Sequence, residues 1–454
     1  MRPVVQTDES IAIPFIIYDP ETGFSINDEA VDFLNQVKQK IGVIAVCGKY
    51  RTGKSYLLNK LFFEHIQSQN KHAKAKSGFG VGPTINPCTK GLWLMREFFY
   101  SPNDPNKELP ILLIDTEGLG AFDEEENHDA KIFLLALLLC SLLVFNSIGA
   151  VDENALENLA LVLNLSKNLQ VKAGQKIEDP DEMAQYFPSF LWVLRDFALQ
   201  LVDQDGNEIN QKTYLENSLR DAKGLSDAVE RKNRVRRMIR HFFKERDCFT
   251  MVRPMEDERM LQNLAKAPDE MVRDEFVKQV DLLRSKTLKK VTAKQLKGKA
   301  INGPMLVELA RAYIEALNKG KVPTIDLAWD NVQAAELHRA LQEATKAHAQ
   351  ILEQELAKLP VNEETLLEIF KFQKQQAIAT FKQGVMSGSD ILNTPKGQEF
   401  VDRLDAEIEN MTKQWTIKNR KCLHKDLQEA IQKHVDSEIK PKIQAQNKLN
   451  MTEG

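Results

Sequence analysis

Val43-Ile-Ala-Val-Cys47-Gly48-Lys49-Tyr50-Arg51-Thr52-Gly53-Lys54-Ser55 is the stretch from which the rest of the chain is read. Its apolar run, Val43 to Cys47, reads as a buried parallel strand, and Tyr56 to Phe63 as a helix. Between them stands G-x-x-x-x-G-K-S, the phosphate-binding loop in its strand–loop–helix setting. Glycines let the backbone curl so that successive N–H groups face a phosphate chain, and the helix N-terminus adds its positive end. Lys54 is expected to reach the β- and γ-phosphates and the Ser55 hydroxyl to ligate Mg2+.

A second apolar run, Pro110 to Ile114, ends in Asp115-Thr-Glu117-Gly118. An aspartate at the end of a strand beside the loop can hold the Mg2+ shell. Gly118 lets a backbone N–H approach the γ-phosphate, and Glu117 is placed to orient water. Gly78 to Pro87 is rich in Gly and Pro and reads as a loop. It delivers Thr89, a residue able to close over the metal. A third run, Phe187 to Leu194, ends in Arg195-Asp196. Ligands of parallel sheets bind beyond the carboxyl ends of the strands, so all three turns converge on one edge. An aspartate there can accept from the N1–H and amino group of guanine, which adenine cannot match. A salt bridge at a strand end fits Arg195-Asp196 equally well.

The chain has 454 residues and a formal net charge of −4, which calls for neither nucleic acid nor an anionic surface. Five scattered cysteines (47, 88, 140, 248, 422) form no CxxC pair, which suits a reducing compartment and argues against a zinc site. No signal peptide or prenylation box is read, and the most apolar stretch, Ile132 to Phe145, spans about 14 residues, too few for a bilayer. The expectation is a cytoplasmic protein whose chain stops without a closing signal.

Residues 11–18 read as a strand and 27–40 as a helix. The arginine-rich segment 221–243 reads as a helix with a solvated charged face. From Arg284 to Lys299 there are seven Lys or Arg and no acid. That run, ending near Asn302-Gly303-Pro304, reads as a basic linker over 285–303. It divides an α/β domain with a mostly parallel sheet (1–284) from an all-α helical bundle or stalk (304–454). In the bundle, Leu306 to Leu317, a helix from Asp326 to Pro360 and one capped by Asn362 carry apolar stripes. Phe400 to Trp415 and Leu427 to Val435 read as two further helices with core faces.

Together, Gly48 to Ser55, Thr89-Lys-Gly-Leu-Trp93, Asp115-Thr-Glu-Gly-Leu119, Phe145-Asn-Ser-Ile-Gly149 and Leu194-Arg-Asp-Phe197 resemble the guanylate-binding proteins, large GTPases of the dynamin superfamily. The wording around Thr89 is closer to plant and protist members. The resemblance implies a P-loop GTPase that hydrolyses GTP to GDP, with Mg2+ held by Ser55, Thr89 and Asp115. It implies catalytic roles for Arg51 as a cis arginine finger and for Lys54, Thr89 and Glu117. Gly48, Lys49, Tyr50, Arg51, Thr52, Gly53, Lys54, Ser55, Tyr56, Asp115, Gly118, Arg195, Asp196 and Arg253 would contact nucleotide, with Asp196 on the base edge and Arg253 in a cap after Val252. It further implies a homodimer formed through the nucleotide-bound domain and a stalk that moves with nucleotide state. One departure stands out: Pro87 replaces the serine that animal members carry two residues before the switch threonine, and it has neither hydroxyl nor N–H. Hydrolysis onward to GMP is correspondingly less expected. A nucleotide-gated scaffold with little hydrolysis is the alternative that Pro87 favours. A membrane-remodelling mechanoenzyme is another, for which no anchor is read, and an ATPase fails if Asp196 reads guanine.

Overall fold

A computed structural model describes residues 10–452 except 65–76, 82–90, 119–125, 154, 158, 160–169, 173–174, 177–185, 225, 262–263, 265–268, 322, 358 and 386–388. Two compact units divide it, the first ending at Val332 and the second starting at Gln333.

The first unit is built on an eight-stranded sheet. In chain order its strands are β1 (Ala12–Asp19), β2 (Gly23–Ile26), β3 (Gly42–Cys47), β4 (Leu92–Met95), β5 (Ile111–Thr116), β6 (Leu142–Ile148), β7 (Ser189–Arg195) and β8 (Arg246–Thr250). They lie in the order β8-β7-β6-β3-β5-β4-β1-β2. Pairings from β8 through β5 are parallel, and those of β5 with β4, β4 with β1 and β1 with β2 are antiparallel. The sheet is therefore mostly parallel, as expected. Its phosphate-loop strand, β3, is central and buried at all six residues. Such a strand has no solvent face and reads as a continuous apolar run. Val43, Ala45 and Cys47 join the core on one face, Ile44 and Val46 the core on the other.

Helices cover both faces: α1 (Asp28–Asn35), α2 (Lys54–Leu58), α3 (Glu126–Leu139), α4 (Gln211–Ser218), α5 (Asp227–Phe242), α6 (Asp274–Lys290) and α7 (Gly303–Asn318). Asn27 caps α1 by accepting from the Ala30 N–H, but this helix stops at Asn35 rather than Lys40. The N–H groups of Gln36 and Val37 close the last turn, and the chain turns into β3. In α5 the arginines are not uniformly solvated. Arg236 is buried, bonding the Ser218 carbonyl at 3.2 Å and Glu153, while Arg237 and Arg240 share Asp221 at 2.6 and 2.7 Å.

The segment 285–303 is not a solvated linker. Its first residues finish α6, and Gln295–Leu296 pairs with Lys299–Ala300 in a short hairpin. Leu296 and Ile301 are buried, and the Lys294 N–H donates to the Ile41 carbonyl at 2.7 Å beside the start of β3. The cations are placed individually. Lys286 and Lys290 hold Asp247 at 2.9 and 3.0 Å, Lys297 holds Asp326 at 2.6 Å, and buried Lys294 donates to the Cys140 carbonyl at 2.8 Å beyond the end of α3. Past the boundary expected at 304 the chain still contributes to the first unit's core. Helix α7, capped by Asn302, packs Leu306, Leu309 and Tyr313 into the core that backs the sheet.

Helix α8 (Ile325–Glu355) begins in the first unit; α9 (Glu363–Gly384), α10 (Pro395–His434) and α11 (Lys440–Thr452) lie in the second. Asn362 caps α9, accepting from the Thr365 N–H at 2.7 Å, as expected. Leu337, Leu341, Phe381, Phe400, Leu404 and Ile408 form the second unit's main core. The two helices expected over 400–435 are one, and a π-helical turn over Val435–Ile439 carries it into α11. Leu427 and Ile431 are 60% and 55% exposed, so that stripe is not a core face. Among the described residues no helix is long and apolar enough to cross a membrane.

Candidate functional site

The loop Gly48–Ser55 springs from the carboxyl end of β3 and runs directly into α2. Its shape depends on two close approaches. Gly48 has φ 148°, and a Cβ there would stand 2.1 Å from the Asn146 carbonyl oxygen on β6. A Cβ on Gly118 would stand 2.3 Å from the Tyr50 Cα. Hence the turn after β5 lies against the loop, and no side chain larger than hydrogen fits at either glycine. Arg51 also has positive φ, 60°, and is exposed on the loop, with its guanidinium 5.9 Å from the Tyr50 ring centre. Lys49 is exposed as well, and Tyr50 half-buried.

Lys54 and Ser55 start α2. Lys54 is buried and donates to the Lys49 carbonyl at 3.3 Å, folding its chain back under the loop. Burial pulls its pKa below the ordinary lysine value, against the opposing attraction of Asp115. Ser55 donates its hydroxyl to Asp115 Oδ2 at 2.5 Å. Asp115 is fully buried, and its strand is locked to β3 by Val46 pairing with Asp115 and by Thr116 Oγ1 donating to the Val46 carbonyl at 2.9 Å. The two oxygen ligands expected for Mg2+ thus meet at one point, and an alcohol beside a carboxylate suits a hard, oxygen-seeking cation. Thr89, the third expected ligand, lies outside the described residues, as do Pro87 and Cys88.

Glu117, the residue expected to orient water, has its carboxylate engaged by neighbouring groups. Its Oε2 accepts from the Gly91 N–H at 2.9 Å and lies 3.6 Å from His128 Nε2. Its own N–H donates to the Gly91 carbonyl at 2.9 Å. The carboxylate therefore ties the entry of β4 to the end of β5. His128 on α3 in turn lies against the Tyr18 and Phe24 rings, with centres 4.1 and 5.6 Å away.

Asn146 was not singled out by sequence reasoning as a site residue. It is fully buried on β6 and donates from Nδ2 to the Thr52 carbonyl at 2.9 Å, while Thr52 Oγ1 donates to the Lys49 carbonyl at 2.8 Å. One residue thus holds the loop through its side chain at Thr52, while its backbone oxygen leaves room only for glycine at 48. Its signals in the sequence are a polar residue ending an apolar run and its place in the Phe145–Gly149 stretch that carries the family resemblance.

At the end of β7 the Arg-Asp pair divides. Asp196 adopts a left-handed backbone, φ 54°, with its carboxylate 4.0 Å from Arg253 Nε beyond β8. Both are partly exposed, at 31% and 40% of their side chains. Arg195 is buried with its guanidinium beside the loop at Gly53, its burial lowering the guanidinium pKa against the pull of Asp196. Tyr56 is buried one residue past Ser55 and faces the core.

Residues 21–296 match the family model for the N-terminal domain of guanylate-binding proteins, and residues 297–447 the model for their C-terminal domain. The chain is 31% identical to guanylate-binding protein 4 of Homo sapiens over 431 residues, 94% of this chain and 62% of that one. It is 35% identical to guanylate-binding protein 6 of Homo sapiens, covering 79% of this chain and 55% of that one. With guanylate-binding protein 1 of Mus musculus the identity is 32%, over 94% of this chain and 69% of that one. The chain therefore spans between 55% and 69% of the length of these curated relatives.

Proposed function

The chain belongs to the guanylate-binding protein family, and from that premise we propose that it binds GTP and hydrolyses it to GDP. One observation carries the reading. The loop's Ser55 and the Asp115 of the neighbouring strand converge at 2.5 Å, with buried Lys54 folded beneath the loop. This is the geometry that a magnesium–triphosphate site needs.

In the proposed reaction a water attacks the γ-phosphate in line with the departing GDP. Loop N–H groups and Lys54 hold the phosphate chain. Arg51, exposed on the loop, supplies charge to the transition state, a contribution of order 10³–10⁵ in rate for an arginine finger. Ser55 and Asp115, with Thr89, would hold Mg2+, which would supply positive charge to neutralise the phosphate chain. Asp196 reads the guanine edge, and Arg253 lies close enough to orient its carboxylate. Two chains pair through their nucleotide-bound domains, which presses Arg51 into place, and the helical unit moves with nucleotide state in the cytoplasm.

A scaffold that binds nucleotide and hydrolyses little is the second reading. It is favoured by Glu117, whose carboxylate is occupied by Gly91 and His128.

Light scattering of the chain alone, with GDP, with a non-hydrolysable GTP analogue and with GDP–aluminium fluoride tests the first reading, with products separated by chromatography. A dimer confined to the GTP-like and transition-state forms, with GDP released, is expected. Arg51→Ala should retain binding and lose turnover by roughly a thousandfold. Unchanged turnover removes the finger, and intact GTP after hours favours the scaffold.

A further inference from the structure

Arg195 ends β7 at one-twentieth exposure, whereas the next residue, Asp196, is partly exposed beside Arg253. Its guanidinium lies 5.5 Å from the ring centre of Phe276 on α6. Nη1 is 3.6 Å from where a Cβ on Gly53 would stand, which places the charge against the underside of the phosphate loop. Among the described residues neither Nε nor Nη1 has a hydrogen-bond partner. Lys54, the residue after Gly53, is a second buried cation.

A buried guanidinium with unmatched N–H groups is a standing cost to the fold. The Phe276 face offsets part of it. Asp196 offsets a further part, but its carboxylate is shared with Arg253, 4.0 Å away, and does not hydrogen-bond Nε or Nη1. The remaining positive potential is directed at the loop, where low polarity and exclusion of water preserve it. An anion bound in that loop relieves it. On the proposed reading the base would lie elsewhere, beside the partly exposed Asp196.

We propose that Arg195 is a buried counter-charge for the phosphate chain, acting through the loop at Gly53 instead of reading the base with Asp196. This deepens the nucleotide-binding reading and rests on it. Two signatures follow. Affinity lost on neutralising Arg195 grows with the number of phosphates, and the nucleotide-free protein is not destabilised by the loss of the charge.

Calorimetric titration of GMP, GDP and a non-hydrolysable GTP analogue into the full chain and into Arg195→Met tests both. Methionine keeps an apolar stem over Phe276 and drops the charge. Expected is about tenfold weaker binding of GDP and the analogue, within about twofold for GMP. The thermal midpoint without nucleotide should be unchanged or higher, and Arg195→Lys should recover most of the lost affinity. Arg195→Gln, neutral and polar, carries the same expectation if the methionine variant does not fold. Equal losses for all three nucleotides overturn the proposal in favour of a base-side role. A lowered midpoint with unchanged affinities, or failure of both neutral variants to fold, overturns it in favour of a structural anchor. Absence of binding to the unmodified chain removes the nucleotide reading itself.

Discussion

Two regions of the first unit are rich in positive charge, and they use it in opposite ways. The loop at Gly48–Ser55 places Lys54 beside a buried carboxylate, Asp115, with Arg51 exposed above it. The segment at 285–303 instead spends its cations on structure. Lys286 and Lys290 neutralise Asp247, Lys297 meets Asp326, and Lys294 is sealed against the Cys140 carbonyl with no carboxylate among its contacts on the described residues. The contrast teaches that a run of lysines says little about burial. The partner that each ammonium finds decides whether it serves a ligand, an ion pair or a helix end.

The comparison breaks most visibly at Lys54. Lys54→Ala removes the ammonium proposed to reach the phosphates and leaves Asp115 buried without it. Fluorescent-nucleotide titration should show at least a hundredfold loss of affinity for GDP and GTP. Circular dichroism should show the fold retained. Unaltered affinity would mean that the loop does not bind phosphate through Lys54.

Lys294 should behave differently. Its pKa is pulled down to about 8 by burial, below the ordinary lysine value. Between that value and the unfolded one, the unfolded chain binds the extra proton, so stability rises with pH across the window from about 8 to about 10.5. Urea denaturation of the intact chain should show that rise, at most about 1.4 kcal/mol per pH unit. Lys294→Met, similar in shape and uncharged, should flatten it, at a cost near neutral pH of no more than about 1–2 kcal/mol. Nucleotide affinity should not change. Identical pH profiles for the two proteins would show that the ammonium stays charged in its site.

The smallest effect is expected at Lys290. Asp247 is desolvated, but hydrogen bonds from Lys286, the Cys248 N–H and Lys290 outweigh that and hold its pKa below the ordinary carboxylate value. Its contribution is therefore complete above about pH 4 and is lost as pH falls through the depressed value. Lys290→Gln leaves Lys286 in place and should cost roughly 0.5–1 kcal/mol at neutral pH and nothing in strong acid. Denaturation at two pH values measures it. A cost that persists in acid would point to packing of the lysine stem.

Much of the site was legible because its chemistry is local. Glycines at 48 and 53, Lys54 and Ser55 are contiguous, and the strand before them is too apolar to lie anywhere but inside the sheet. Asp115 was legible because a polar residue ending an apolar run beside that strand has one place to go. Asn146 ends an apolar run in the same way, yet its part in holding Thr52 and admitting only glycine at 48 depends on β6 lying next to β3, a pairing between distant residues. Arg195 and Asp196 are adjacent in the chain, and nothing in their order distinguishes the one that turns inward. The positive φ at Asp196 and the packing of the Arg195 guanidinium against Gly53 and Phe276 separate them.

The helical region shows the same limit. Apolar residues at helical spacing revealed helices and their caps, including Asn362. They did not reveal which stripes are covered. Phe400, Leu404 and Ile408 face other helices, whereas Leu427 and Ile431, at similar spacing on the same α10, remain exposed.

By itself the sequence determined the parallel sheet around Val43–Cys47, the phosphate-binding loop, the Ser55–Asp115 convergence and the family, because each is written in short-range patterns whose chemistry allows few alternatives. Only the tertiary structure decided where the first unit ends, what the lysines of 285–303 touch, that Glu117 ties down Gly91, and which way Arg195 turns. Those outcomes depend on desolvation and on partners distant in the chain, and a charge carries no mark in the sequence of the neighbour that will meet it.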